Sequence, residues 1–502
     1  LRLYLDGMRN FRQGRGMQET TELLRRAVAL DSTFALAAYW AGYMATYDDL
    51  PAVADFELAT RQRGHLSPRA QMRLAAALAA AEGRHAEAIT LGQHFVERYP
   101  DDVAGWFQLG EQIAHTGYFV GDSAGAARPA YEHAVGLDPA LAPAYFHLAV
   151  IGGLQADTAA LDRWAAGLDA TGADPIWPAV LRTTRAGVSG DTALLDRSVD
   201  TFLSEETLYP PTTLAGSIAE VAASVMVSDP SASRRIMDRY LQRTVSDTAR
   251  AVVTRRRARL ESALGRFDRA EEVLRSIGPD HRTLFPYDLA WIALHPAATG
   301  DERAKEAARL LRARAPAAGP DEAAVRRYLL ARLALKLGRP ARFRAELDTL
   351  RRDNAVRAGD DGGLARDLVL ELAALDAQLR GEPERGLDSL LASRYWTRQE
   401  VWPREGPDTY FEGPLADRWP QFLRAELLRQ AGRDADAALW YKISSDGIWH
   451  RAIGLERLAE VAGEEGDSAR AMTLYKQVER LWAGADPDVR PLVAEVRRKI
   501  GG

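Results

Sequence analysis

Gly121-Asp122-Ser123-Ala124-Gly125 has the G-x-S-x-G spacing, which can hold a nucleophilic serine on a strained turn between a strand and a helix. No strand-like alternation precedes it. The motif falls between two helical stretches, where an insertion costs little loop-closure entropy. A serine hydrolase acting through Ser123 is therefore only the outlying alternative. The chain has no Cys, which removes thiol nucleophiles, disulfides and thiolate metal sites. Its nine His are scattered and none belongs to an H-E-x-x-H sequence. His85 and His94 do not share a helical face as an i,i+4 pair would. Asp360-Asp361-Gly362-Gly363 lacks the alternating ligands and closing Glu of a calcium loop. We therefore expect no catalytic residue, no metal site and no cofactor.

Two groups of residues are suited to binding instead. Arg255-Arg256-Arg257, with Arg259, could form a phosphate or acidic-partner patch, but the run reads first as a solvated helical face paired with acids such as Glu261. The other group is Arg2, Arg9 and Arg12 with Tyr39 and Tyr43. Guanidinium groups grip a carboxylate in bidentate fashion, and aromatic rings pack the peptide beside it.

The elements that must position these residues repeat along the chain. Residues 101–139 contain Trp106, Leu109 and Gly110 as W-x2-L-G, then Ala127, Tyr131, Ala134 and Pro139 at helical spacing. Gly110 allows a second helix to approach closely, and Trp106 and Tyr131 fill the space between helices. Ala127 and Ala134 keep the crossing tight, and Pro139 ends the hairpin. Residues 1–32 end on Ala27-Val28-Ala29-Leu30-Asp31-Ser32, parallel to Ala134-Val135-Gly136-Leu137-Asp138-Pro139. Gly83-Arg84, Gly265-Arg266, Gly338-Arg339-Pro340, Gly432-Arg433 and Gly466-Asp467 mark turns inside further hairpins. Hairpins are expected at 177–204, 212–243, 247–277, 285–314, 321–350 and 364–393.

These motifs resemble the tetratricopeptide (TPR) repeat family, a helix–turn–helix array. The motifs are specific in about half of the chain. The endings Ala29–Ala37 and Leu481–Pro487 also resemble the TPR tails of large bacterial signalling proteins, which carry a serine/threonine kinase, cyclase or winged-helix domain ahead of the repeats. No glycine-rich nucleotide loop, H-R-D or D-F-G occurs here. The resemblance implies an all-α, right-handed solenoid of TPR-like hairpins closed by a C-terminal capping helix. In such arrays the first helix of each hairpin lines the concave face. That would put Arg2, Leu5, Arg9, Arg12, Tyr39, Tyr43, Phe107 and Glu111 on the binding surface. The Lys/Asn carboxylate clamp of some chaperone-binding TPR domains is missing, so that specificity is not implied.

The expected divisions are a TPR array at 1–175, degenerate hairpins at 176–393, an ordered aromatic- and Pro-rich loop at 394–420, two more hairpins at 421–486 and a capping helix at 487–502. Asp486 and Pro487 read as the N-cap and first residue of that helix. Apolar residues make up 47% of the chain, enough for an extended core, and the net charge of -5 gives no footprint for nucleic acid. Lys305, Lys336, Lys442, Lys476 and Lys499 are the only lysines among 65 basic residues. With so much Ala, Gly and Arg, this is the composition of a high-GC bacterial genome. No apolar run reaches membrane-spanning length. The chain begins at Leu1 directly in helical sequence, as expected of a mature form or a fragment. The compartment stays open between the cytoplasm and the outer face of a bacterial membrane. The function expected is a non-enzymatic scaffold for a protein or peptide partner, or for another copy of the chain. End-to-end self-assembly is the structural alternative.

Overall fold

The computed structural model describes residues 1–14, 17–47, 52–171, 173, 175–204, 211–243, 246–278, 284–314, 319–357, 363–393 and 419–501. Among these there are α-helices and short 3-10 turns but no strand, so the chain is all-α. Its contacts divide it into two units, Leu1–Arg243 and the described residues from Ser246 onward. Most of the expected aromatic loop, 394–418, lies outside the described residues.

The first unit holds α1 (Arg2–Gln13), α2 (Met17–Leu30), α3 (Ala35–Tyr47), α4 (Val53–Arg61), α5 (Pro68–Ala81), α6 (His85–Arg98) and α7 (Val103–Thr116). It continues with α8 (Arg128–Leu137), α9 (Ala142–Gln155), α10 (Thr158–Asp169), α11 (Ile176–Ser189), α12 (Thr192–Ser204), α13 (Pro211–Val225) and α14 (Pro230–Arg243). Helices pack on their neighbours in sequence within and between hairpins, except that α12 and α13 meet through α14 and α11, and α9 also touches α11 and α13. Both α9 and α10 pack on α11, so packing runs unbroken across residue 175.

The second unit holds α15 (Asp247–Ala263), α16 (Phe267–Arg275), α17 (Phe285–Leu294), α18 (Glu302–Ala313), α19 (Pro320–Lys336), α20 (Pro340–Arg357) and α21 (Gly363–Arg380). It ends with α22 (Pro383–Leu391), α23 (Trp419–Gln430), α24 (Asp434–Ser445), α25 (Arg451–Glu464), α26 (Ser468–Leu481) and α27 (Arg490–Gly501). All the hairpins expected between 177 and 393 are present.

The turns follow a common hydrogen-bond scheme. At Gly265 the amide donates to Ser262 O, and the Arg266 amide donates to Glu261 O. This satisfies the last carbonyls of α15 and requires a residue in the left-handed region, where glycine has no Cβ penalty. Gly83, Gly338, Gly381, Gly432 and Gly466 share the positive φ. Between α9 and α10 the same scheme is made by Ala156, at φ 54, the one non-glycine residue with positive φ among those described.

Packing inside a hairpin uses the predicted small–large pairing. A Cβ on Gly110 would lie 2.7 Å from the Tyr131 ring, and Ala127, Ala130 and Ala134 are buried. Trp106 differs from expectation. It is half-buried, with its ring 4.2 Å from that of His133 and its indole N–H donating to Pro100 O. The filling aromatic is its neighbour Phe107, fully buried at 0% exposure.

Both units fold back on themselves. In the first, α1 packs against α9. Phe11 meets Trp40 and Phe107 at 5.3 and 5.5 Å, and the Trp177 indole donates to Gln13 O. In the second, the segment after α26 returns to the α15–α16 turn. There Asp486 departs from its expected role. The last helix starts at Arg490, and the Asp486 carboxylate instead accepts from the Asp268 amide in the first turn of α16, at 2.8 Å. Its own amide donates to Gly265 O. The last helix is amphipathic, burying Val493 and Val496 under charged Arg497 and Arg498.

His295 anchors this second core. Its Nδ1 accepts from the Ala297 amide, so Nε2 carries the proton and donates to Trp449 O at 2.8 Å. Burial, then the charge of His450, pushes its pKa down to about 3. The unfolded chain therefore binds a proton that the folded chain refuses. The His295 contribution to stability is intact above about pH 6.5 and is lost as pH drops from there toward 3. Chemical denaturation at stepped pH values from 7 to 5 should show this loss, and His295→Asn should flatten it by up to about 1.4 kcal/mol per pH unit. An unchanged slope would remove His295 from the account. Ala156→Gly should raise the unfolding free energy by about 0.5–1 kcal/mol, read as a higher urea midpoint, because it relieves the left-handed strain. A lower midpoint would contradict that.

Candidate functional site

The sequence directs attention to the inner helices of the first unit. Here α3 and α7 are buried on nearly every side rather than lining an open groove. Phe107 to Ile113 are all buried, including the polar Gln108, Glu111 and Gln112. Both helices are packed between their neighbours in sequence, and Phe11 of α1 adds an edge-on contact to the Phe107 ring.

The expected binding residues therefore separate into two sets. Tyr39, Tyr43, Phe107 and Glu111 lie in the packed interior. Tyr39 accepts a hydrogen bond from Gln108 Nε2, and its ring stacks on Tyr43 at 6.4 Å. Arg73 sits over the Tyr39 and Trp40 rings, at 5.6 Å from each centroid. Arg2, Leu5, Arg9 and Arg12 remain outside. Arg12 is engaged within the unit, with Nε and Nη2 each donating to Asp138 at 2.6 Å. Arg2 and Arg9 share Asp6 on their own helix, at 3.9 and 3.0 Å, with side chains 95% and 65% exposed. The expected grip of Arg9 and Arg12 beside Tyr39 and Tyr43 is thus not assembled, because the rings point into the core.

Glu111 heads a polar cluster on α7, α8 and α9. The Tyr131 hydroxyl donates to Glu111 Oε1 at 2.6 Å, and His147 Nε2 lies 2.8 Å from the same oxygen. His115 Nε2 is 3.7 Å from Oε2. The His147 ring stacks flat on Tyr131, with centroids 5.0 Å apart. Burial alone would raise the Glu111 carboxyl, but His147, its hydrogen bond and His115 outweigh it and hold the group at about 2. His147 is lowered by burial and raised further by Glu111, with a net rise above its ordinary value. One ligand atom from each of Glu111, His115 and His147 lies within 4.8 Å of the others. The sequence offered a signal for this group. Glu111 and His115 are i,i+4 neighbours, and His147 follows roughly one 34-residue repeat later. A search for H-E-x-x-H passes over it because the third ligand comes from another hairpin.

The arginine run also differs from expectation. Its acidic partners are present, but Arg255 and Arg257 are buried rather than solvated. Arg255 pairs with Asp288 at 3.1 Å and Arg257 with Glu261. Ser123 has extended backbone at the edge of a 3-10 turn, Ala124–Ala127, with no strand before it. The strained strand-to-helix turn that a serine nucleophile needs is not formed there. No helix among the described residues is long and apolar enough to cross a membrane.

Neither a family model nor a curated relative matches the sequence. Solved structures do match over most of the chain. The APC/C hetero-tetramer Cut9–Hcn1 shares 14% identity at TM-score 0.38, covering 87% of this chain and 84% of that one. Yeast Tom70 shares 11% identity at TM-score 0.32, covering 86% and 95%. The TPR domain of P58(IPK) shares 12% identity at TM-score 0.21, covering 87% and 99%.

Tyr131→Phe removes one donor from a buried, charged Glu111 while keeping the ring stack. It should destabilise the protein by about 1.5–3 kcal/mol, read as a lower thermal or urea midpoint. An unchanged midpoint would mean that the hydroxyl contributes nothing to this cluster.

Proposed function

We propose that the chain is a protein-interaction scaffold with no catalytic role of its own. It takes a peptide or protein partner on helical surface that its stacked hairpins leave open. The observation that supports this best is α1. One side of that helix is pinned by Gly7 and Phe11, and the other turns Arg2, Leu5 and Arg9 outward. Two guanidinium groups flanking a leucine suit an acidic segment that carries an apolar residue. Contacts of this kind are individually modest and add up along a stiff array. The setting we favour is that of the bacterial signalling proteins whose repeat tails the sequence resembles.

The test uses a fluorescent peptide of alternating Glu and Leu, followed by anisotropy at two salt concentrations. The wild-type chain should bind it more weakly at high salt. The double variant Arg2→Glu, Arg9→Glu should bind at least about tenfold more weakly, a loss of about 1.4 kcal/mol. Binding indifferent to the charge reversal would sink the reading of α1. Light scattering that grew with concentration, without any peptide binding, would favour self-assembly.

A further inference from the structure

From the Glu111, His115 and His147 cluster we infer a binding site for a divalent transition-metal ion of the zinc class, bridging α7 and α9. Two imidazoles and a carboxylate are a donor set that zinc and its first-row neighbours take readily. An ion about 2.0–2.2 Å from each ligand atom needs those atoms about 3.3–3.5 Å apart. His147 Nε2 lies 2.8 Å from Glu111 Oε1 and His115 Nε2 lies 3.7 Å from Oε2, and one ligand atom from each of the three residues lies within 4.8 Å of the others, so small side-chain rotations bring the set to that spacing.

The surroundings have the features of a supported site. Glu111 and His147 are held at depth, with side chains 9% and 13% exposed. The Tyr131 hydroxyl orients the carboxylate from behind, and its ring fixes the plane of His147. Such outer partners tune metal affinity. His115 is different, with a side chain 47% exposed. It stands at the rim, where its ring can turn to close the longer gap and where an ion can enter. Glu220 on α13 adds a negative charge whose field favours the charged form of both imidazoles. Three protein ligands leave a fourth position of the tetrahedron for water or for a donor atom on a partner. Since α7 and α9 belong to successive hairpins, the ion would tie one repeat to the next. This site is independent of the α1 surface proposed above.

The test uses the full chain without an affinity tag, freed of metal by chelation. Titration with Co2+ should give the visible d–d absorption of a four-coordinate ion, and calorimetry with Zn2+ should saturate at one ion per chain. His115→Ala, at the rim, should abolish the cobalt band while circular dichroism stays unchanged. Glu111→Gln should weaken zinc binding at least about tenfold. His94→Ala, an exposed histidine elsewhere in the unit, should leave both signals intact. Absence of cobalt absorption and of stoichiometric zinc uptake in the wild type would overturn the site, as would uptake that His115→Ala leaves unchanged.

Discussion

A helix enclosed by other helices has no water to offer its polar side chains. This constraint shapes the interior of both units. A polar group there must find a partner or cost several kcal/mol. The pairs recur in the same chemical form. Tyr131 donates to Glu111, Tyr287 to Glu322, Tyr328 to Glu371 and Tyr441 to Glu426. Arginines complete several of them. Arg314 and Arg326 join Glu322, and Arg332 lies between the Trp291, Tyr328 and Trp419 rings. A phenol brings its own apolar ring into the core and spends its one polar atom on the carboxylate, which makes it a compact way to keep an acid buried.

The same enclosure accounts for the buried state of Tyr39, Tyr43, Phe107 and Glu111 in the first unit. Phe11, Trp40 and Phe107 meet ring against ring, and Arg12 reaches Asp138 from the end of α1. What stays accessible is the back of α1 and the rim marked by His115. Exposed and buried side chains are therefore drawn from the same helices.

Much of the fold was legible because local chemistry decides it. Glycine at a left-handed turn, alanine at a crossing and proline after a helix act within a few residues, so the hairpins could be placed from spacing alone. Most of the misreadings concern contacts distant in sequence. Asp486 has the neighbours of an N-cap, but the backbone it serves is that of α16. Arg255 and Arg257 read as solvent-facing because charge usually lies there, and no local pattern announces Asp288 as a buried partner. Trp106 and Phe107 are adjacent aromatics, and only the return of α1 determines which one is interior. His115 and His147 became a pair only once two hairpins were stacked.

The crossing of Asp486 to α16 also bears on how the chain is made. Asp268, whose amide it receives, precedes it by 218 residues. At ordinary ribosomal speed that separation amounts to about 10–40 s of synthesis. For that interval α16 has left the ribosome with an orphan amide at its first turn, and the Gly265 carbonyl is without the Asp486 amide. Vectorial growth thus leaves the first hairpin of the second unit unfinished until nearly the last of its helices has emerged.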